Sequence, residues 1–303
     1  MSERLRVLVT GATGFVGRAL TPVLVEAGHE VRAMTRHPET YDGPGDPVAG
    51  DVFDRESLDA PLDGVDVAYY LVHSLDAPDF EERDAEAART FADAAKAAGV
   101  RQIVYLGGLG DEDEELSPHL RSRREVEGLL AGTGVPVTVL RAAIVVGHGG
   151  ISWELTRQLV KNLPAMVVPK WVSTPTQPIA LDDVVRYLAG VAGNDAAFGR
   201  VFEIGGPDRL TYLEMLKVAA RLNSGRSVPI LRVPVLTPRL SSYWLALVTD
   251  VNVMTGRNLI DSMGTPVVVT DRSIEELVPG EPMSYEEAVR LALEERRSDE
   301  DQG

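Results

Sequence analysis

Apolar positions in the first half of the chain alternate between two periods. Residues 5–10 (Leu-Arg-Val-Leu-Val-Thr) are apolar and β-branched, the pattern of a buried strand. Val16, Leu20, Val23, Leu24 and Ala27 then recur at helical spacing, and Gly28 ends that helix. Residues 30–34 read as a second strand, and a short third one precedes Gly50. Residues 65–72 form another apolar run, broken only by Asp66. Residues 102–106 follow as the next strand. Between these two lies a helix with Ala88, Phe91, Ala92, Ala95 and Ala98 on one face, closed by Gly99. A helix over about residues 119–131 leads into a sixth strand at residues 136–141. Strands alternating with helices of this length predict an α/β fold, a doubly wound parallel sheet of the Rossmann kind.

Beyond Gly147 the rhythm loosens. Asp182 and Asp183 mark one helix start, and Thr211–Glu214 and Ser284–Glu287 are spaced as capping boxes. Short strands are predicted at residues 201–204 and 228–233. This half reads as a smaller C-terminal α/β lobe packed on the carboxyl edge of the sheet. The expected division is a dinucleotide-binding domain over residues 1–147, with room for later strands to join it. A substrate-side lobe follows over 148–297, and a disordered tail over 298–303. Residues 111–115 (Asp-Glu-Asp-Glu-Glu) read as a solvated loop. The apolar stretch at residues 240–248 is too short to span a bilayer and reads as a core or pocket-lining helix. No internal repeat is visible.

Composition narrows the classes. With 44% hydrophobic and 25% charged residues, the chain can bury a core and is expected to be soluble. No apolar stretch is long enough for a membrane span, and the N-terminal residues lack the apolar region of a signal peptide, so a cytoplasmic location is expected. The absence of cysteine excludes disulfides, thiolate nucleophiles and cysteine-ligated metals. The five histidines and the carboxylates show no ligand spacing, so no metal is expected. A net charge of −16 repels nucleic acid and anionic membrane surfaces. Only Lys96, Lys161, Lys170 and Lys217 are lysines; the other basic residues are arginine. This balance fits either a halophile's surface or the codon bias of a GC-rich genome.

The chemistry begins at Gly11-Ala12-Thr13-Gly14-Phe15-Val16-Gly17, which leaves a buried strand and opens a helix. A turn without Cβ atoms lets the backbone approach a pyrophosphate, and the helix start offers free N–H groups and the positive end of a dipole. The segment is therefore expected to bind a dinucleotide. At the end of strand two, a carboxylate would hold the ribose 2′-OH of NAD(H). Here the sequence is Arg32-Ala-Met-Thr-Arg36, and Arg36 is placed to pair with a 2′-phosphate, which favours NADP(H) over NAD(H). Asp51 and Val52 are placed to meet the adenine edge; an ordinary Gly-Asp turn is the alternative.

The stretch Val7-Leu-Val-Thr-Gly-Ala-Thr-Gly-Phe-Val-Gly17 resembles the opening of the short-chain dehydrogenase/reductase superfamily. The segments Gly50-Asp-Val52, Val137-Thr-Val-Leu-Arg141, Gln177-Pro-Ile-Ala-Leu-Asp-Asp-Val184 and Val201-Phe-Glu-Ile-Gly-Gly206 are similar to later landmarks of its extended and atypical members. The whole is most similar to the atypical, NmrA-like branch with triphenylmethane-reductase-like proteins, and Tyr69-Tyr-Leu-Val-His-Ser74 and Leu163-Pro-Ala-Met166 resemble an NAD(P)H-binding, epimerase-like subgroup of it. The resemblance implies a Rossmann fold and an NAD(P)H-dependent oxidoreductase. The superfamily's usual catalyst is a tyrosine four residues before a lysine, with a serine near the end of strand five. None of the eight tyrosines here is followed at that distance by lysine. His119 and Arg123 stand where the tyrosine and lysine align, and Gly107 and Gly108 occupy the serine's region.

His119 is the first alternative proton donor, since imidazole titrates near neutral pH. Arg123, one turn later, is suited to the nicotinamide ribose or to a substrate anion. His73, at the end of strand four, lies where ligands of such sheets bind. Each also reads as an ordinary surface or loop residue. His148 sits in a glycine turn near the expected substrate mouth. Trp153, Trp171, Tyr243 and Trp244 serve either pocket or core. Three readings of function remain. The chain is an NADPH-dependent reductase of a small hydrophobic or quinone-like acceptor, a non-catalytic NADP(H)-binding sensor or subunit, or an epimerase-like enzyme acting on sugar nucleotides. The missing tyrosine weighs most against the last.

Overall fold

The computed structural model describes residues 4–110, 116–162, 166–168, 170–225, 230–232, 256, 258 and 261–302. Its centre is a seven-stranded sheet. In chain order the strands are β1 (Arg6–Thr10), β2 (Glu30–Thr35), β3 (Asp46–Ala49), β4 (Val67–Tyr70), β5 (Gln102–Gly108), β6 (Val137–Ala142) and, much later, β11 (Val201–Ile204). Across the sheet they run β11-β6-β5-β4-β1-β2-β3, and every pairing is parallel. The order reverses between β1 and β4, the crevice where doubly wound sheets hold ligands beyond their carboxyl ends. The seventh strand comes from within residues 148–297, so the sheet extends past the first half of the chain.

Helices α1 (Phe15–Glu26) and α6 (Leu181–Gly190) cover one face; α3 (Phe80–Ala97) and α4 (Pro118–Ala131) cover the other. A short α2 (Asp59–Leu62) precedes β4. The two tyrosines of β4 show how strand alternation feeds both layers. Tyr69 points toward α6 and donates its hydroxyl to the Leu188 carbonyl at 2.8 Å, whereas Tyr70 packs its ring 5.0 Å from that of Phe91 on α3. In α1 the inward face is Gly17, Leu20, Thr21 and Leu24; Val23 is exposed, contrary to the expected stripe, because the helix packs through its glycine and threonine side. Gln102 locks the far edge. Its amide donates to Thr138 Oγ1 (2.8 Å) and the Val191 carbonyl (3.0 Å), and its oxygen accepts Gly193 N–H (2.8 Å).

Short strands follow: β7 (Val145–Val146), β8 (Met166–Val168), β9 (Pro175–Thr176), β10 (Ile179–Ala180), β12 (Leu210–Thr211) and β13 (Ile230–Arg232). They pair as β10-β7, β12-β9 and β13-β8. Helices α5 (Ile151–Asn162), α7 (Tyr212–Ser224), α8 (Ile274–Leu277) and α9 (Tyr285–Gln302) complete the described elements. α5, α7 and α9 share a separate apolar cluster around Trp153, Leu216 and Val289. Thr211 and Glu214 form the reciprocal capping box expected from their spacing. The tail expected to be disordered is instead helical to Gln302, because Arg296 pairs with Glu300 at 2.8 Å and His148 holds Asp299 at 3.0 Å. Residues 111–115 and 240–248, with Tyr243 and Trp244, lie outside the described residues, as does the side chain of Trp171. Among the described residues no helix is long and apolar enough to cross a membrane.

Candidate active site

The glycine turn sits at the carboxyl end of β1. Gly11 adopts φ +65°, a conformation that L side chains rarely take, and its carbonyl accepts Gly14 N–H at 2.9 Å. Gly17 lies against this turn so closely that a Cβ there would stand 2.2 Å from the Gly11 carbonyl oxygen and 2.9 Å from Ala12 Cα. α1 begins at Phe15 with no side-chain cap and no acidic residue in its first turn. Its first N–H groups are therefore left for an external acceptor, as a dinucleotide's pyrophosphate requires. Thr10 closes the base of the cleft, donating to the Tyr69 carbonyl (2.9 Å) and accepting Leu71 N–H (3.1 Å).

From this turn a cleft of ≈ 450 Å³ runs over the ends of β2, β3 and β4. Gly11, Thr13, Arg36, Asp51 and Val52 line it, and so does His73, a candidate for catalysis. Arg36 is exposed at the exit of β2. Asp51 turns one oxygen inward to accept Phe53 N–H at 3.0 Å, and Phe53 in turn carries the Arg83 guanidinium 4.8 Å from its ring centre. Phe15 and Val16 face elsewhere: the Phe15 ring lies against Gly147 and Gly150, and Val16 packs on the core. His37 lines the cleft beside Arg36.

A second cavity, ≈ 180 Å³, lies beyond the ends of β5 and β6. Leu106, Leu120, Ile144, Met263 and Val267 make it apolar; Ser152, Tyr212, Ser262, His119 and Arg123 supply its polar groups. Gly108 brings α4 close to the sheet here, since a Cβ would meet Leu120 Cδ2 at 2.8 Å. A side chain at Gly108 would require the end of Leu120 to shift. Of the three candidate catalytic residues, His73 lines the first space and His119 and Arg123 the second, and the Arg123 charge acts on both imidazoles. Burial, then Arg123, then His73 push the His119 pKa down to about 3. His73 is open on its cleft side; the protein packed behind it and Arg123 also lower its pKa. His119 is thus a neutral imidazole at pH 7, not the ready proton donor that its residue type implies.

Sequence reasoning missed the carboxylate behind these groups. Asp84 on α3 is buried, receives Ser74 N–H and Ser122 Oγ, and sits within the field of Arg123. The signal was present: Asp84 lies four residues before Ala88 and seven before Phe91, on the inward face of the helix. Tyr212 and Ser152 were also missed. His148 lines neither space; it bridges Asp299 of α9 (3.0 Å) and Glu154 of α5 (3.6 Å). His29 accepts Leu5 N–H at 3.3 Å, and Trp153 is core.

A family model described as NAD(P)H-binding matches residues 11–166. A (4-alkanoyl-5-oxo-2,5-dihydrofuran-3-yl)methyl phosphate reductase of Streptomyces griseus is 30% identical over 220 residues, 71% of this chain and 73% of that protein. An uncharacterised Mycobacterium tuberculosis protein is 26% identical over 229 residues; the match spans 75% of this chain but 25% of that longer protein. Among solved structures, a nucleoside-diphosphate-sugar epimerase of Staphylococcus aureus superposes with TM-score 0.76 at 16% identity, over 94% of this chain and 100% of its own. A Citrobacter triphenylmethane reductase complexed with NADP(H) gives 0.75 at 17%, over 95% and 99%. At such identities the two structures share the fold, which is the Rossmann-type fold expected from the sequence.

Proposed function

The chain belongs to the NAD(P)H-binding family, and from that premise we propose that it is an NADPH-dependent reductase of a small, largely apolar conjugated acceptor. The observation that carries this reading is the apolar cavity at the ends of β5 and β6, whose His119 and Arg123 interact electrostatically with His73 of the cofactor cleft. The Streptomyces relative reduces an unsaturated lactone phosphate by its name, and the Citrobacter protein is a reductase with NADP(H). Both support the direction of the reaction.

NADPH, when bound, supplies a hydride to an electrophilic carbon of the acceptor. The chain's own part is to position and polarise. The first turn of α1 holds the pyrophosphate, and Arg36 pairs with the 2′-phosphate. Leu106, Ile144 and Met263 exclude water from the acceptor's body. His119, neutral, donates an N–H hydrogen bond to the acceptor oxygen where charge develops, and water completes the reduction with a proton. Such a reaction depends chiefly on orientation, so the absent Tyr–Lys pair is not required.

The test is NADPH oxidation by purified protein with unsaturated lactones, enones and quinones, at low and at molar KCl. Turnover of at least one class is expected, with activity retained in molar salt if the acidic, lysine-poor surface is a halophile's. A second reading, a non-catalytic NADP(H)-binding protein, is favoured by the glycines that replace the serine region and by the lowered His119 pKa. Firm NADPH binding with no oxidation by any acceptor would decide for it.

A further inference from the structure

Arg123 is the one charged side chain among the described residues lining the apolar cavity. Its neighbours on α4 are matched: Arg121 pairs with Glu81 at 3.5 Å and Arg124 with Glu127 at 3.7 Å. Arg123 is half-buried, yet no carboxylate of a described residue stands within ion-pair distance of its guanidinium. Asp84 is the carboxylate whose field reaches it, but the two oxygens of Asp84 are already engaged by Ser74 N–H and Ser122 Oγ. A cation drawn out of water without a paired anion is unfavourable, and an incoming anion relieves that cost.

Two further features aim the charge. Gly108 leaves room for α4 against the strand ends, with the position of its missing Cβ 3.6 Å from Arg123 Cγ, so the arginine's stem lies at the cavity wall, and Tyr105 supplies its side chain with an uncharged hydrogen-bond partner. His119 and Leu120, in the first turn of α4, line the same space, so the positive end of that helix adds to the field. The remaining wall is mostly apolar, with the uncharged polar groups of His119, Ser152, Tyr212 and Ser262, which suits a ligand with an apolar body and one charged end.

Resting on the reductase reading above, we infer that Arg123 anchors an anionic group of the acceptor, so that the substrate class is a conjugated acceptor with an apolar body and a single carboxylate or phosphate. The pyrophosphate of the cofactor is not this anion, because it belongs at Gly11–Gly17 in the other space.

The experiment uses the full chain with NADPH and matched acceptors: a free acid, its methyl ester and the corresponding phosphate monoester. Wild-type kcat/KM is expected to favour an anionic member over the ester by about ten- to hundredfold, through KM, as a charge-assisted hydrogen bond would give. The better of the acid and the phosphate identifies the group. Arg123→Gln should bring the ratio near one, and Arg123→Lys should restore part of it. No preference in the wild type overturns the inference. So does an equal loss toward ester and anion in Arg123→Gln, which would give the arginine a structural or cofactor-facing role. If NADPH binds but no acceptor is reduced, the reductase reading has failed on its own. Calorimetric titration of the NADP-loaded protein with acetate and inorganic phosphate then decides: heat lost in Arg123→Gln supports the anion site, and no binding in the wild type overturns it.

Discussion

Asp84 accepts the backbone N–H of Ser74 at 2.7 Å, tying the segment after β4 to helix α3. Its other oxygen reaches Ser122 Oγ at 3.3 Å, so one buried carboxylate fixes the residues next to both His73 and Arg123. Removing it in Asp84→Ala leaves a buried N–H without an acceptor and should lower stability by about 1–3 kcal/mol, seen as a lower Tm and weaker cofactor binding. Asp84→Asn keeps an acceptor for Ser74 and behaves differently with pH. Burial raises the Asp84 pKa, so the folded state holds that proton more tightly than the unfolded chain, and ionisation costs stability as pH rises through the raised value. Asp84→Asn should therefore gain on wild type between acid and neutral pH. A Tm difference that is constant with pH would contradict this sign.

Gly17→Ala tests the cofactor turn. The added methyl would stand 2.2 Å from the Gly11 carbonyl, a distance that forces the turn or α1 to move. Overpacking of this kind costs roughly 1–3 kcal/mol, and the displaced N–H groups no longer converge on a pyrophosphate. Fluorescence titration should show NADPH binding lost or weakened by more than the loss of Tm explains. By contrast, Gly99→Ala, at a position with open space around the missing Cβ but φ +74°, should cost stability alone.

The histidine pair sets a pH expectation. Burial and the Arg123 charge hold His119 at about 3, below its unfolded value near 6.5. Between those two values the unfolded chain binds the proton and the folded protein does not, so this group's contribution is complete above pH 6.5 and is lost as pH falls toward 3. Tm should drop over that window, and His119→Gln should flatten the drop. The rate of NADPH oxidation should show no step from His119 near pH 6.5. A step there that His119→Gln abolishes would mean the imidazole titrates in the site.

The sheet was legible because strand and helix periods alternate cleanly from Arg6 to Ala142, and the cofactor turn because its glycines fall between a strand and a helix. The order of strands put His73 and the start of α4 at the same carboxyl edge, which the sequence pattern allows one to expect. What it could not show was tertiary. The inward position of Asp84 follows from periodicity, but its partners lie ten and thirty-eight residues away, and only packing of α3 on α4 brings them together. The neutral state of His119 arises from burial, from the Arg123 charge and from His73, which lies on another segment, and no local pattern encodes that meeting. The helical tail likewise depends on Asp299 meeting His148 across 151 residues.

The proposed choice of NADP(H) is tested at Arg36. It stands exposed at the end of β2, in the cleft with Thr13 and Asp51, at the position where a carboxylate would bind the hydroxyls of NAD(H). Its planar guanidinium matches a phosphate in two-point contact, whereas NAD(H) offers it only a hydroxyl. Arg36→Ala should therefore weaken NADPH by about ten- to hundredfold, the range of a charge-assisted hydrogen bond, and change NADH binding far less. Arg83, held over the Phe53 ring in the same cleft, provides a second cation for comparison. Raising salt should erode NADPH affinity in the wild type more than in Arg36→Ala, since screening acts on the charge pair that the variant lacks. Equal loss of both cofactors in Arg36→Ala would show that the arginine shapes the cleft without reading the 2′-phosphate.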